Sequence, residues 1–158
     1  IPHVICDESD TQVGKICAGN LAMVEQIALI SQEVLQPQDL EMHITQAFRT
    51  WDIQNNLWEL YGRNPTRVCN PGTPTRPRKC PHMIAGAIDI SIRDKDSNAR
   101  ISYVDQEALM CSYGFVRYGG EEWHFEYGTN QWRIAEQQRQ VNPQYCYYGT
   151  RDAMANLR

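Results

Sequence analysis

The 158-residue chain reads as an α+β protein: a small antiparallel sheet packed with three to four helices and stapled by disulfides. Three observations predict this. Apolar residues recur at helical spacing in several separate stretches, other short stretches alternate apolar with polar residues, and six cysteines are many for a reduced protein of this size. One domain spanning 1–158 is expected, because a chain of this length buries roughly two-thirds of its unfolded surface.

Taken in order, residues 1–19 hold turn formers and two cysteines with little periodicity, which predicts an irregular arm pinned by a disulfide. Asn20 is placed to cap a helix in which Leu21, Val24, Ala28, Val34 and Leu35 recur on one face, and Pro37 ends it. Leu40, Met42 and Ile44 then alternate as a strand, with His43 on its polar side. Thr50 can cap a second helix that turns Ile53, Leu57, Trp58 and Tyr61 to the core before Gly62 stops it. Arg49 falls at the junction.

Asn64 to Lys79 is a loop rich in Pro, Gly and Arg. Its Arg67, Arg76, Arg78 and Lys79 either meet an acidic ligand or simply keep the surface soluble. A strand follows from Ala87, with Ile88, Ile90 and Ile92 on one face and Asp89 on the other. Arg93 to Arg100 is a charged turn, and Ser102 caps a third helix carrying Val104, Ala108 and Cys111 to about Gly114. Phe115 to Tyr118 opens a hairpin through Gly119-Gly120 into Glu121–Tyr127, where Trp123, Phe125 and Tyr127 alternate with Glu122, His124 and Glu126. A last helix runs from Asn130 to about Gln140, Trp132 and Ala135 inward, until Pro143 breaks it. The tail packs back through Cys146 with Tyr145, Tyr147 and Tyr148.

An even number of cysteines fits three disulfides in an oxidising, extracytoplasmic compartment, secreted or periplasmic. Local spacing pairs Cys6 with Cys17, Cys69 with Cys80, and Cys111 with Cys146. A formal net charge of −4 carries no nucleic-acid footprint, and no apolar run approaches a membrane span. The chain opens at Ile1 without a signal-peptide pattern and reads as a processed product. A monomer is expected.

Two segments carry chemistry. Cys80-Pro81-His82-Met83-Ile84-Ala85-Gly86-Ala87-Ile88-Asp89 and Glu121-Glu122-Trp123-His124-Phe125-Glu126-Tyr127 each set a histidine near carboxylates. His/Asp/His suits zinc. His82 and Asp89 are seven apart, so an unbroken strand would point them to opposite faces, and the chain must bend at Ala85-Gly86 for them to share an ion. A zinc that works on water also needs a nearby carboxylate. Glu121, Glu122 and Glu126 are candidates; alternation favours Glu122 or Glu126, and Glu121 reaches the site only by curling in from the Gly-Gly turn. Cys80 beside His82 would suit nucleophilic catalysis, but a cysteine in a six-Cys chain is more often half of a disulfide.

These segments resemble the zinc D-alanyl-D-alanine carboxypeptidases and dipeptidases, the VanY-like enzymes related to phage peptidoglycan peptidases. The family's Ser-x-His-x-x-Gly-x-Ala-x-Asp is similar to residues 80–89, its Glu-x-Trp-His-Phe-x-Tyr to residues 121–127, and its Tyr-Arg-Ser with a downstream Gln to Phe48-Arg49-Thr50 and Gln54. The resemblance implies one zinc ion on His82, Asp89 and His124, Glu121 as general base and later acid, and Arg49 steadying substrate and transition state. Substrate contacts would come from Arg49, Cys80 and Trp123, and the substrate would be a peptidoglycan stem peptide cut at its terminal D-Ala-D-Ala bond. Two positions depart from the pattern: Cys80 replaces a serine that helps hold substrate, and Ala85-Gly86 reverses the glycine position. Two other readings stand beside this one, an L-alanyl-D-glutamate endopeptidase of lytic type and a zinc-stabilised binding domain like the amino-terminal hedgehog domain.

Overall fold

The computed structural model describes residues 1–7 and 17–149, so the middle of the amino-terminal arm, 8–16, lies outside the described residues. Four side-chain caps start four helices: Asn20 accepts from the Met23 amide at α1 (Leu21–Ile30), Thr50 from Ile53 at α2 (Trp51–Leu60), Ser102 from Asp105 at α3 (Tyr103–Ser112), and Thr129 from Trp132 at α4 (Asn130–Arg139). After α1 the chain continues as a π-helical turn, Ser31–Leu35, before Pro37. The strands are β1 (Val4–Cys6), β2 (Leu40–Gln46), β3 (Gly72–Thr73), β4 (Arg76–Pro77), β5 (Ala87–Asp94), β6 (Val116–Tyr118), β7 (His124–Glu126) and β8 (Tyr147–Tyr148). The fold is α+β.

Six strands form one sheet in the order β1-β2-β5-β7-β6-β8, while β3 and β4 make a separate two-stranded ribbon within the Arg-rich loop. The four central strands pair antiparallel as expected; the edge strands β1 and β8 add in parallel, which makes the sheet mixed rather than purely antiparallel. Met23, Ile27, Ile30 and Leu35 pack on Met42, Ile44, Ile88, Ile90 and Ile92, joined by Met110, Phe115 and Phe125.

Three helix faces differ from expectation. In α1 the buried residues are Met23, Ile27 and Ile30, whereas Leu21 is 74% exposed. Apolar residues occur all round this helix, so periodicity alone could not choose the stripe. In α3 Val104 is 77% exposed and the inward positions are Gln106 and Met110. In α2 only Gln54 is fully buried, and Tyr61 lies exposed at its end. The three expected disulfides form: Cys6–Cys17, Cys69–Cys80 and Cys111–Cys146, with Cα separations of 6.1, 5.8 and 5.6 Å.

Candidate metal centre

The register of the central sheet brings two of the three candidate ligands face to face. Asp89 on β5 and His124 on β7 are direct cross-strand partners. On the other side of β5, the pairing with β2 shifts between Ile44 and Gln46, so that Gln46 stands opposite Asp89 and the Thr45 hydroxyl donates to the Asp89 carbonyl at 3.2 Å. A bulge of this kind re-aims side chains beside a site.

His82 arrives by a different route, through the turn that precedes β5. Ala85 takes φ +55°, the conformation a glycine adopts without strain, and this is the position where the related pattern has its glycine. Gly86 serves close packing instead: a Cβ there would lie 2.7 Å from Thr129 Cγ2 and 3.3 Å from the Tyr127 carbonyl. The bend is tied down by Asn20, whose backbone amide donates to Ala85 O at 2.8 Å and whose side chain donates to Tyr127 O at 2.8 Å. His82 itself is zipped to the end of β2, with its Nδ1 donating to Ala47 O at 2.7 Å and its carbonyl accepting from the Arg49 amide at 3.1 Å.

His82, Asp89 and His124 thereby converge, all three buried, with one donor atom from each within 4.8 Å of the others. Asp89 Oδ1 lies 3.3 Å from His82 Nε2 and 2.9 Å from His124 Nδ1. The outer nitrogen of each ring is already engaged: His82 Nδ1 by Ala47 O, and His124 Nε2 by Glu126 Oε1 at 3.0 Å. Those bonds leave the inner nitrogens as the pair that could hold a metal. Two imidazoles and a carboxylate with their outer atoms satisfied are a donor set that fits a zinc ion.

Burial, with the Arg49 charge adding to it, pushes the His82 imidazole down to about 4. His124 moves oppositely. Burial alone would lower it, but hydrogen bonds to Asp89 and Glu126 and their negative charges hold it up to about 9. Burial would likewise raise Asp89, and the two histidines outweigh it, keeping its carboxyl well below the usual range.

Glu126 is fully buried and is held in turn by Thr129 Oγ1 at 2.5 Å and by the Tyr148 hydroxyl. It supports His124 from behind, so of the three acidic candidates it is the one engaged elsewhere. Glu122 is exposed. Glu121 does curl in from the Gly119-Gly120 turn, its Oε2 3.9 Å from His124 Nδ1. The strand here is buried on both faces, with His124, Phe125 and Glu126 all enclosed and Trp123 39% exposed, so a simple in-out alternation does not describe it.

Arg49 stands beside the cluster, Nη2 3.6 Å from Asp89 Oδ2, with Nε donating to Gln46 Oε1 at 2.9 Å and Nη1 to Gln54 Oε1 at 3.2 Å. Gln54 donates onward to the Cys69 carbonyl at 2.9 Å. A cavity of about 750 Å³ gathers His82, Asp89, His124, Glu121, Arg49 and Trp123 on its walls. Cys80 is not among them: it is 1% exposed and disulfide-bonded to Cys69. Of the loop's basic residues only Arg67 reaches this cavity, and Arg93 and Arg100, read from sequence as part of a charged turn, line it as well.

No protein-family profile matches the chain. It is 32% identical over 92 residues to Protein stoned-A of Drosophila melanogaster, a match covering 58% of this chain and about a tenth of that protein's length, 10%. Among solved structures it resembles the vancomycin-resistance D,D-pentapeptidase VanY from a VanB-type cassette in complex with Zn(II), with 15% identity, TM-score 0.56 and 88% of each chain covered. VanYB in complex with D-alanine-D-alanine gives 14% identity and TM-score 0.57, covering 88% of this chain and 87% of that one. The LdcB LD-carboxypeptidase gives 15% and 0.52 over 91% and 77%. The fold is VanY-like.

Proposed function

We propose that residues 1–158 act as a single, monomeric zinc peptidase domain that trims bacterial peptidoglycan stem peptides outside the cytoplasm, most specifically as a D-alanyl-D-alanine carboxypeptidase. The observation that carries this reading is the convergence of His82, Asp89 and His124, one ligand atom from each within 4.8 Å of the others, beside Glu121 and Arg49 in one cavity. Support for the substrate comes from VanY-like neighbours, one of which was solved with D-alanine-D-alanine. Three disulfides support the extracytoplasmic setting. Among the described residues no helix is long and apolar enough to cross a membrane.

Zinc held by these three residues would supply Lewis-acid polarisation of the scissile carbonyl and would acidify water. The remaining work falls to the chain. Glu121 takes the proton of the attacking water and returns it to the leaving amine, a role its carboxylate can fill because its oxygen sits 3.9 Å from His124 Nδ1. Arg49, its guanidinium aimed by Gln46 and Gln54, meets the negative charge that builds on the carbonyl oxygen. Trp123 contributes an aromatic wall for the peptide. Retention of Glu121 and Arg49 in the cavity favours turnover over a purely structural zinc of hedgehog type.

The test is digestion of a defined stem pentapeptide by zinc-loaded protein, with fragments identified by mass. Release of free D-alanine is expected, and Glu121→Ala should lower it by about 10²- to 10⁴-fold with zinc content unchanged. Cleavage between L-alanine and D-glutamate would replace this reading with the endopeptidase one. No cleavage at all would end both.

A further inference from the structure

The chain is acidic overall, at −4, yet the walls of the cavity carry the guanidiniums of Arg49, Arg67, Arg93 and Arg100 against the carboxylates of Asp89 and Glu121. Arg49 is committed to Asp89. Arg93 and Arg100 are not neutralised: among the described residues neither forms an ion pair. Both instead converge on one buried hydroxyl, Arg93 Nε donating to Ser91 Oγ at 3.1 Å and Arg100 Nε at 3.2 Å.

That arrangement is costly by itself, since two like charges drawn together without a counter-ion repel. It is also well supported. Arg93 and Arg100 form an antiparallel bridge across the turn, Arg93 Nη1 reaches Asn98 Oδ1 at 3.4 Å, and the Arg100 guanidinium lies 4.4 Å from the centre of the Tyr103 ring. With Nε of each on Ser91, and Nη1 held by Asn98 Oδ1 in Arg93 and by the Tyr103 hydroxyl in Arg100, both guanidinium planes are fixed and their Nη2 groups are left to meet a carboxylate. Ser91 and Asp89 are two residues apart on the same face of β5, hence about 7 Å, the span of roughly two residues of extended peptide.

We propose that Arg93 and Arg100, docked on Ser91, form a carboxylate-binding subsite of the cavity, selecting peptides that carry an acidic group on the amino side of the scissile bond, about two to three residues back from it. This rests on the peptidase reading, and it narrows the substrate class to stem peptides whose acidic position is left unamidated.

The experiment compares two synthetic stem pentapeptides, identical except that the glutamyl α-carboxylate is free in one and amidated in the other. With zinc-loaded wild-type protein, the free acid is preferred about tenfold, and the preference resides in KM. In the Arg93→Gln/Arg100→Gln variant, checked for native circular dichroism and zinc content, the preference disappears while the amidated peptide is handled as before. Should the double variant fail to fold, Arg100→Gln alone, at an exposed side chain, serves the same purpose with a partial loss. No preference in the wild type, or a preference that survives removal of both guanidiniums, overturns the subsite. If wild-type protein cleaves neither peptide, the peptidase reading falls separately, and calorimetric Kd values for the same pair then decide: a preference for the free acid upholds the subsite, and equal or absent binding overturns it.

Discussion

His124 Nε2 lies 3.0 Å from Glu126 Oε1, and Glu126 is itself enclosed by Thr129 and Tyr148. The carboxylate thus fixes which imidazole nitrogen faces Asp89 and raises its basicity, the usual task of a group one step behind a metal ligand. Replacing Glu126 with Gln should weaken zinc affinity by about 10- to 100-fold while the fold survives, because the amide keeps a hydrogen-bond acceptor at the same place. Competition against a chromogenic chelator measures it. Unchanged affinity would show that His124 needs no such support.

The two histidines set opposite pH dependences in the metal-free protein. His124 is raised to about 9, so its contribution to stability is fully present below about 6.5, its ordinary value, and fades as pH climbs through about 9. His82 is lowered to about 4, so its neutral form costs stability as pH falls from about 6.5 toward that value. Chelator-treated protein should therefore be most resistant to urea around neutrality and weaken on both sides. Zinc binding near pH 7.5 should expel about one proton, from His124, which calorimetry in buffers of different ionisation heat will count. No proton release would contradict a charged His124.

Arg49 is aimed by two glutamines, and a lysine cannot reproduce that fork. Arg49→Lys should reduce kcat/KM on the stem pentapeptide by about 10²-fold, with zinc content intact. Gln54→Ala, which removes the Oε1 acceptor of Arg49 Nη1 and the donor to the Cys69 carbonyl, should give a smaller loss of about tenfold together with lower stability. Full activity in Arg49→Lys would remove the guanidinium from the reaction.

At the bend before β5 the two residues are in the reverse order from the related pattern, and the geometry predicts what each change does. Ala85→Gly relieves a left-handed alanine and should stabilise by about 1 kcal/mol, a rise of about 2–4 °C in Tm. Gly86→Ala forces a methyl against Thr129, the residue that caps α4 and bonds Glu126, and should cost about 1–3 kcal/mol. Thermal scans of the two variants should move in opposite directions.

Much of this site was legible in the residues. The spacing of His82, Asp89 and His124 required a bend at Ala85-Gly86, and a bend is there; short-range cysteine spacing named all three pairings. What escaped were interactions between distant pieces of chain. Gln106 is fully buried because its side chain accepts from the Ile92 amide and donates to Ile90 O and Glu122 O, holding β5 and the β7 approach together. A polar residue in a helix gives no sign of that. Asn20 looked like a cap and is one, but it also ties Ala85 to Tyr127 across the molecule. Arg93 and Arg100 read as surface charge because only the cross-turn bridge places them over Ser91.

The Cys69–Cys80 bond joins the two halves of the machinery. Cys80 is two residues from His82, and the carbonyl of Cys69 anchors Gln54, which orients Arg49. One covalent link therefore seats both a candidate ligand imidazole and the guanidinium beside it. Cutting that link would loosen both side chains at one stroke, since His82 and the Gln54 that holds Arg49 share the same tether.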